Sequence, residues 1–159
     1  MPAPVVAEQR GTVGADLGTL PSFQITPLRS IDGTSFKHGE DVVRLAGVEG
    51  PGAGDVCRDG EIRWSCGLQA RAALHNLVAG RPLTCRLRKT LSEGIVSADC
   101  ELPPKGDLPA GDLARLLVQQ GWARPDASAN AGLGDAAAQA HRDRAGLWRG
   151  DWTILAAER

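Results

Sequence analysis

Apolar and polar residues alternate along Phe23 to Ile31, Val42 to Leu45, Leu83 to Leu87 and Ile95 to Cys100, the period of two that half-buried strands require. Ser35-Phe36 adds a short strand between a turn at Asp32-Gly33 and another around Gly39, so the first three strands read as a β-meander. Gly47 to Gly60 holds five Gly and one Pro and reads as loop. The period then changes. Leu68, Ala72, Leu74, Leu77 and Val78 recur at three- and four-residue steps, which predicts a helix over Gly67 to Val78 that stops at Ala79-Gly80-Arg81-Pro82. After the Pro- and Gly-rich stretch Leu102 to Gly111, Asp112 is a candidate N-cap for a second helix through Gln120, with Leu113, Leu116, Leu117 and Val118 facing a core. Beyond a loop from Pro125 to Gly134, Asp135 is a candidate cap for a third helix through Arg144. Strands with one helix inserted, more strands, then helices make an α+β order.

Residues 1–20 carry no sustained periodicity and read as a flexible lead-in, leaving 21–159 as one domain. A chain of 159 residues and 42% hydrophobic content fits one core rather than two. Its formal net charge of -1 supplies no basic excess for phosphate neutralisation. Tyr is absent and Phe occurs twice, so base-stacking surface is scarce and nucleic acid is not the expected partner. The four Trp read as core and tail contacts. No apolar run approaches a membrane-spanning length, and Met1 to Gly18 shows no basic-then-apolar leader.

Four cysteines, Cys57, Cys66, Cys85 and Cys100, form no CxxC pair and stand at no zinc-ligand spacing from His38, His75 or His141. Two disulfides and an oxidising, exported setting are the expectation, with three pairings open. His75 falls on the polar side of the first helix and His141 near the end of the third, where a charged ring favours the helix terminus. Arg81, Arg86, Arg88 and Lys89 cluster around a strand as a candidate basic patch, or as a solvated strand face.

Five segments, read in register, resemble the staphylococcal nuclease (thermonuclease-like) family: Ile31-Asp32-Gly33, Val43 through Pro51, Cys66-Gly67-Leu68-Gln69-Ala70 through Pro82, Leu117 through Ala123, and the closing Gly146-Leu147-Trp148. The resemblance spans roughly residues 23 to 150. It implies an OB-type five-stranded β-barrel with three helices. It also implies local cysteine pairs, Cys57 with Cys66 and Cys85 with Cys100.

The catalytic positions implied by that resemblance are largely changed. Phosphodiester hydrolysis needs a carboxylate-held metal, a base to activate water and cations to absorb developing charge. In the family's DGDT-like turn the second Asp binds calcium; Thr34 stands there, while Asp32 remains. In its RLxGIDxPE stretch Arg44 matches the phosphate-contacting Arg, Glu49 replaces the metal-binding Asp, and Gly52 stands where the Glu base belongs. The family's YGR becomes Glu93-Gly94-Ile95, so a phosphate clamp becomes aliphatic Ile95 and Glu93 repels phosphate. Losing a positioned base costs about 10²- to 10⁴-fold and one electrostatic stabiliser roughly 10²- to 10³-fold. The expectation is a non-catalytic, exported binding or interaction domain, monomeric, with a ligand or protein partner. The alternatives are a weak metal-dependent phosphodiesterase using Asp32 and Glu49, with calcium as its only cofactor, and an accessory protein of cell-surface polysaccharide assembly, a role some bacterial relatives carry.

Overall fold

Two long alternating segments, β8 (Leu83–Ser92) and β9 (Ile95–Leu102), form the hairpin around which the sheet is built in the computed structural model, which describes residues 22–27, 29–129 and 132–155. Leu83, Cys85, Val96, Ala98, Cys100 and Leu102 point inward along it. Its turn is Glu93-Gly94, where Gly94 adopts φ +78°, a conformation open to glycine at little cost. Strand β1 (Ser22–Ile25) pairs with β8; β2 (Arg29–Asp32), β3 (Ser35–His38) and β4 (Asp41–Leu45) form the expected meander. Strand β4 then lies parallel to β9, Val42 opposite Ile95 and Leu45 opposite Ala98. The strand order is β1-β8-β9-β4-β3-β2, with the short β10 (Gly111–Asp112) added to β9. The result is a curled, mixed, half-barrel sheet in an α+β molecule.

The strand predicted over Phe23 to Ile31 is two strands. Pro27 lacks an N–H and restricts the residue before it, so the chain leaves β8 at Ile25 and re-enters on β3 at Arg29. The segment read as loop, Gly47 to Gly60, contributes β5 (Val48–Glu49), paired with β11 (Arg124–Pro125), and β6 (Cys57–Asp59), paired with β7 (Ile62–Trp64). Strands of two or three residues between glycines carry no legible period. The lead-in read at 1–20 lies outside the described residues.

Helix α1 (Cys66–Val78) buries Ala70, Leu74 and Val78, a four-residue stripe, whereas Leu68 is 54% exposed and Ala72 is also outside the core. Helix α2 (Leu113–Gln119) starts as predicted: the Asp112 carboxylate accepts the Arg115 N–H at 2.9 Å. Helix α3 (Leu133–Arg142) starts two residues before the predicted cap, because Leu133 is buried and Gly132, at φ +96°, makes the entry. Asp135 lies in its first turn, where a carboxylate meets the positive end of the helix dipole. The closing Gly146–Gly150 is a 3₁₀ turn.

The main core gathers Phe36, Val43, Leu74, Leu83, Leu113 and Leu117 between sheet and helices. A second, smaller core holds Trp64, Leu147 and Trp152 around the Cys57–Cys66 disulfide, with Trp122 and Trp148 packed against it. The other disulfide joins Cys85 to Cys100, which face each other across β8 and β9 and are fully buried. Both pairs are those the resemblance implies.

Gly121, at φ +80°, ends α2 against the 3₁₀ turn. A Cβ there would overlap the Ala145 carbonyl, and the Gly121 carbonyl accepts the Leu147 N–H at 3.0 Å. Gly60, at φ +63°, has open space around it. Gly121→Ala is therefore expected to cost about 3 kcal/mol from backbone strain plus overlap, and Gly60→Ala only about 1 kcal/mol. Urea denaturation of both variants checks this; equal losses would contradict the close approach.

Candidate functional site

The turn from β2 to β3 presents Asp32. Its Oδ1 accepts the Thr34 backbone N–H at 2.9 Å and the Thr34 hydroxyl at 3.4 Å, closing an Asx turn. Gly33 is required beneath it, since a Cβ there would stand 2.7 Å from the Ala70 Cβ on α1. Thr34 thus serves the turn, and its methyl faces Gly50, where an added Cβ would lie 3.4 Å away. The Leu45 N–H donates to the Thr34 carbonyl at 2.9 Å, and Ser35 stands opposite Arg44. The backbones that carry Asp32, Arg44 and Glu49 are therefore neighbours at one end of the sheet.

Their side chains are engaged differently. Arg44 alternates with buried Val43 and Leu45 along β4 and is exposed. Glu49, opposite Arg124 in the β5–β11 pair, places Oε2 2.7 Å from the Arg124 Nε, with both side chains partly in solvent. The same guanidinium lies 4.9 Å from the centre of the Trp152 ring. Gly52 has no side chain to offer, and its N–H donates to Asp55 Oδ2 at 2.8 Å. Asp55 in turn donates its N–H to the Gly52 carbonyl and accepts the Gly67 N–H on its own carbonyl, so it closes a loop onto the start of α1. Gly67 is the second half of that contact: a Cβ there would overlap the Gly52 carbonyl.

Glu93 and Ile95 flank the β8–β9 turn. Ile95 pairs with Val42, two residues along β4 from Arg44, and the Gly94 carbonyl accepts the Val42 N–H at 2.8 Å. Ile95 is half-buried and Glu93 exposed. Among the described residues no group of three or more His, Cys, Asp or Glu side chains is placed to share a metal ion.

The basic cluster loses one member. Arg81 is 2% exposed, and its guanidinium donates to the carbonyls of Leu77, Pro103 and Pro109. It staples the end of α1 to the segment after β9, because those carbonyls have no strand or helix partner there. Arg86, Arg88 and Lys89 are exposed on β8, with Arg88 paired to Asp99. His75 is exposed on α1, and His141 stacks on Trp148 with ring centres 4.3 Å apart. Arg124 belongs to no sequence motif, and its place beside Glu49 comes only from the pairing of β11 with β5.

The shifted titrations lie elsewhere. Burial raises the Asp41 carboxyl, opposed by His38 and Lys37, with Glu40 adding to the rise. Asp41 is 2% exposed and its Oδ2 has no hydrogen-bond partner. Burial lowers His38, opposed by Asp41. Burial also raises Asp112, opposed by the Arg115 N–H, with Asp99 and Glu101 adding to the rise.

Scanned against models of known families the chain matches none, and no curated protein matches its sequence.

A carboxyl raised in the folded state holds its proton to higher pH than in the unfolded chain. Its stabilising contribution is complete below the ordinary carboxylate range and is lost as pH rises through the raised value. Asp41→Asn cannot ionise and keeps that contribution. Thermal melts are expected to show Asp41→Asn more stable than the parent at pH 7 and equal to it at pH 3. A variant less stable at pH 7 would show that the ionised carboxylate is held by an interaction favouring it.

Proposed function

We propose that the chain is a degenerate staphylococcal-nuclease-like domain on an OB-type barrel, exported, monomeric and acting as a binding or interaction module rather than a nuclease. The order of elements supports the family reading: a meander, α1 as crossover, the β8–β9 hairpin, then two helices and a closing turn. The observation that carries the loss of catalysis is the Asp55–Gly52 contact. Gly52 stands where a base is needed, and Asp55, a carboxylate three residues on that would replace it, is tied to the Gly52 N–H at 2.8 Å.

Ligand number argues the same way. A calcium ion takes six to eight oxygens, roughly three of them from carboxylates in a tight site. Asp32 and Glu49 are what the remnant offers, the first already accepting two bonds from Thr34 and the second paired to Arg124. An exposed pair of this kind is worth about 0–1 kcal/mol, so the pair alone does not bar a cation; the missing ligands do. Two disulfides, at sequence separations of 9 and 15, suit an oxidising compartment. Among the described residues no helix is long and apolar enough to cross a membrane.

A digestion assay with plasmid and single-stranded DNA in calcium, magnesium or manganese separates the binding reading from a weak phosphodiesterase. The expected result is no cleavage above buffer for the parent and for Glu49→Ala alike. Metal-dependent cleavage that disappears in Glu49→Ala would overturn the proposal.

A further inference from the structure

Alternation along β4 turns Asp41, Val43 and Leu45 toward the core, so a carboxyl takes the first inward position of a strand that is otherwise apolar on that face. It follows the Gly39-Glu40 turn and stands opposite His38 on β3. Its Oδ2 is enclosed and has no hydrogen-bond partner. Buried carboxylates are ordinarily paired or hydrogen-bonded, and this one begins a strand on which the whole sheet depends.

The cover over Asp41 is the β8–β9 turn. A Cβ built on Gly94 would lie 3.8 Å from Asp41 Oδ1, and the Gly94 carbonyl accepts the Val42 N–H at 2.8 Å. That bond opens the parallel seam of β4 with β9; the Ala46 N–H, donating to the Ala98 carbonyl at 2.8 Å, marks its other end. The two ends differ in burial. Val42 and Ile95 are half-buried at the first, whereas Leu45 and Ala98 are buried at the second. Lifting the β8–β9 turn therefore exposes little of the core, and opening at that end alone is the cheaper route by which water reaches Asp41.

We propose that Asp41 is a proton-operated latch on the near end of the β4–β9 seam: with its proton the carboxyl lies closed beneath the β8–β9 turn, and without it the turn lifts from Val42 and admits water while the Ala46 end stays paired. Burial raises the carboxyl, opposed by His38 and Lys37 on β3, with Glu40 in the turn adding to the rise; Glu93, beside Gly94, is exposed. Opening returns the carboxyl toward its ordinary range, so proton loss favours the open form as pH rises through the raised value. His38 works the other way. Burial lowers it against the pull of Asp41, so its protonation at falling pH disfavours the enclosed ring. Comparison with an uncharged residue at position 41, made at the same pH, removes that contribution. The latch uses neither Asp32, Arg44 nor Glu49, so the digestion assay does not bear on it.

Amide hydrogen exchange of the ¹⁵N-labelled full chain, referred to the unstructured-chain rate at each pH, tests the latch. In the parent at pH 7 the Val42 amide is expected to exchange through an opening that low urea does not promote, while Ala46 exchange rises with urea as global unfolding requires. Protection of Val42 in Asp41→Asn and in Asp41→Ala, each divided by that of the parent, is expected to be at least about threefold greater at pH 7 than at pH 3. Taking the ratio at two pH values cancels whatever packing either substitution alters. Val42 exchange that follows urea in step with Ala46, or a variant-to-parent ratio equal at the two pH values, would each overturn the proposal.

Discussion

The parallel pairing of β4 with β9 joins the two halves of this molecule. Without it, the β2–β3–β4 meander and the β8–β9 hairpin would each be a small antiparallel sheet with an open edge. Antiparallel neighbours can be joined by tight turns, but a parallel pair needs a long crossover, and α1 lies in that connection. The sheet curls so that Val43, Val96 and Ala98 face Leu74 of the crossover helix and Leu113 and Leu117 of α2. The buried Cys85–Cys100 disulfide fixes the hairpin beside this seam, closing a loop of sequence separation 15, worth roughly 3 kcal/mol in a loop-entropy account.

The same seam determines what surrounds Asp32, Arg44 and Glu49. Ser35 opposite Arg44 and Arg44 opposite Ser97 set the Asp32 turn next to β4, and the Thr34–Gly50 contact brings Glu49 alongside. The framework therefore presents a place where several chain segments meet, while the side chains there serve the fold. Thr34 completes a turn, Asp55 fastens a loop, and Arg124 bridges Glu49 to Trp152 of the small aromatic core. Arg149 lies over the ring of Trp64 in that core, at 4.3 Å from its centre, so cations cover tryptophan faces on two sides.

Long periodic segments were legible in the sequence, and short or paired ones were not. The alternation in Leu83 to Leu87 and Ile95 to Cys100, the Asp112 cap and the first helix read correctly because each rests on a local signal. Pro27 is a local signal for the break between β1 and β2, masked by the apolar run on either side of it. Strands β5 and β11 were illegible, since a two-residue strand exists only through its partner 75 residues away. Arg81 carried the signature of a surface cation, and its burial depends on three carbonyls no local pattern brings together. At the candidate site the residue identities were readable, but the Glu49–Arg124 pair and the Asp55–Gly52 closure are tertiary facts. Leu68 and Ala72 share the three- and four-residue spacing of the first helix yet face outward, because the stripe of Ala70, Leu74 and Val78 takes its inner face.

The proposed binding role requires that the point where Asp32, Arg44 and Glu49 meet hold no metal ion. A calcium titration of the ¹⁵N-labelled chain, followed at the amides of Asp32 to Ser35 and Glu49 to Gly52, tests it directly. No saturable shifts are expected there up to millimolar calcium, with the Asx turn and the Asp55 closure unchanged. Saturable shifts at both Asp32 and Glu49, lost in Glu49→Ala, would contradict it.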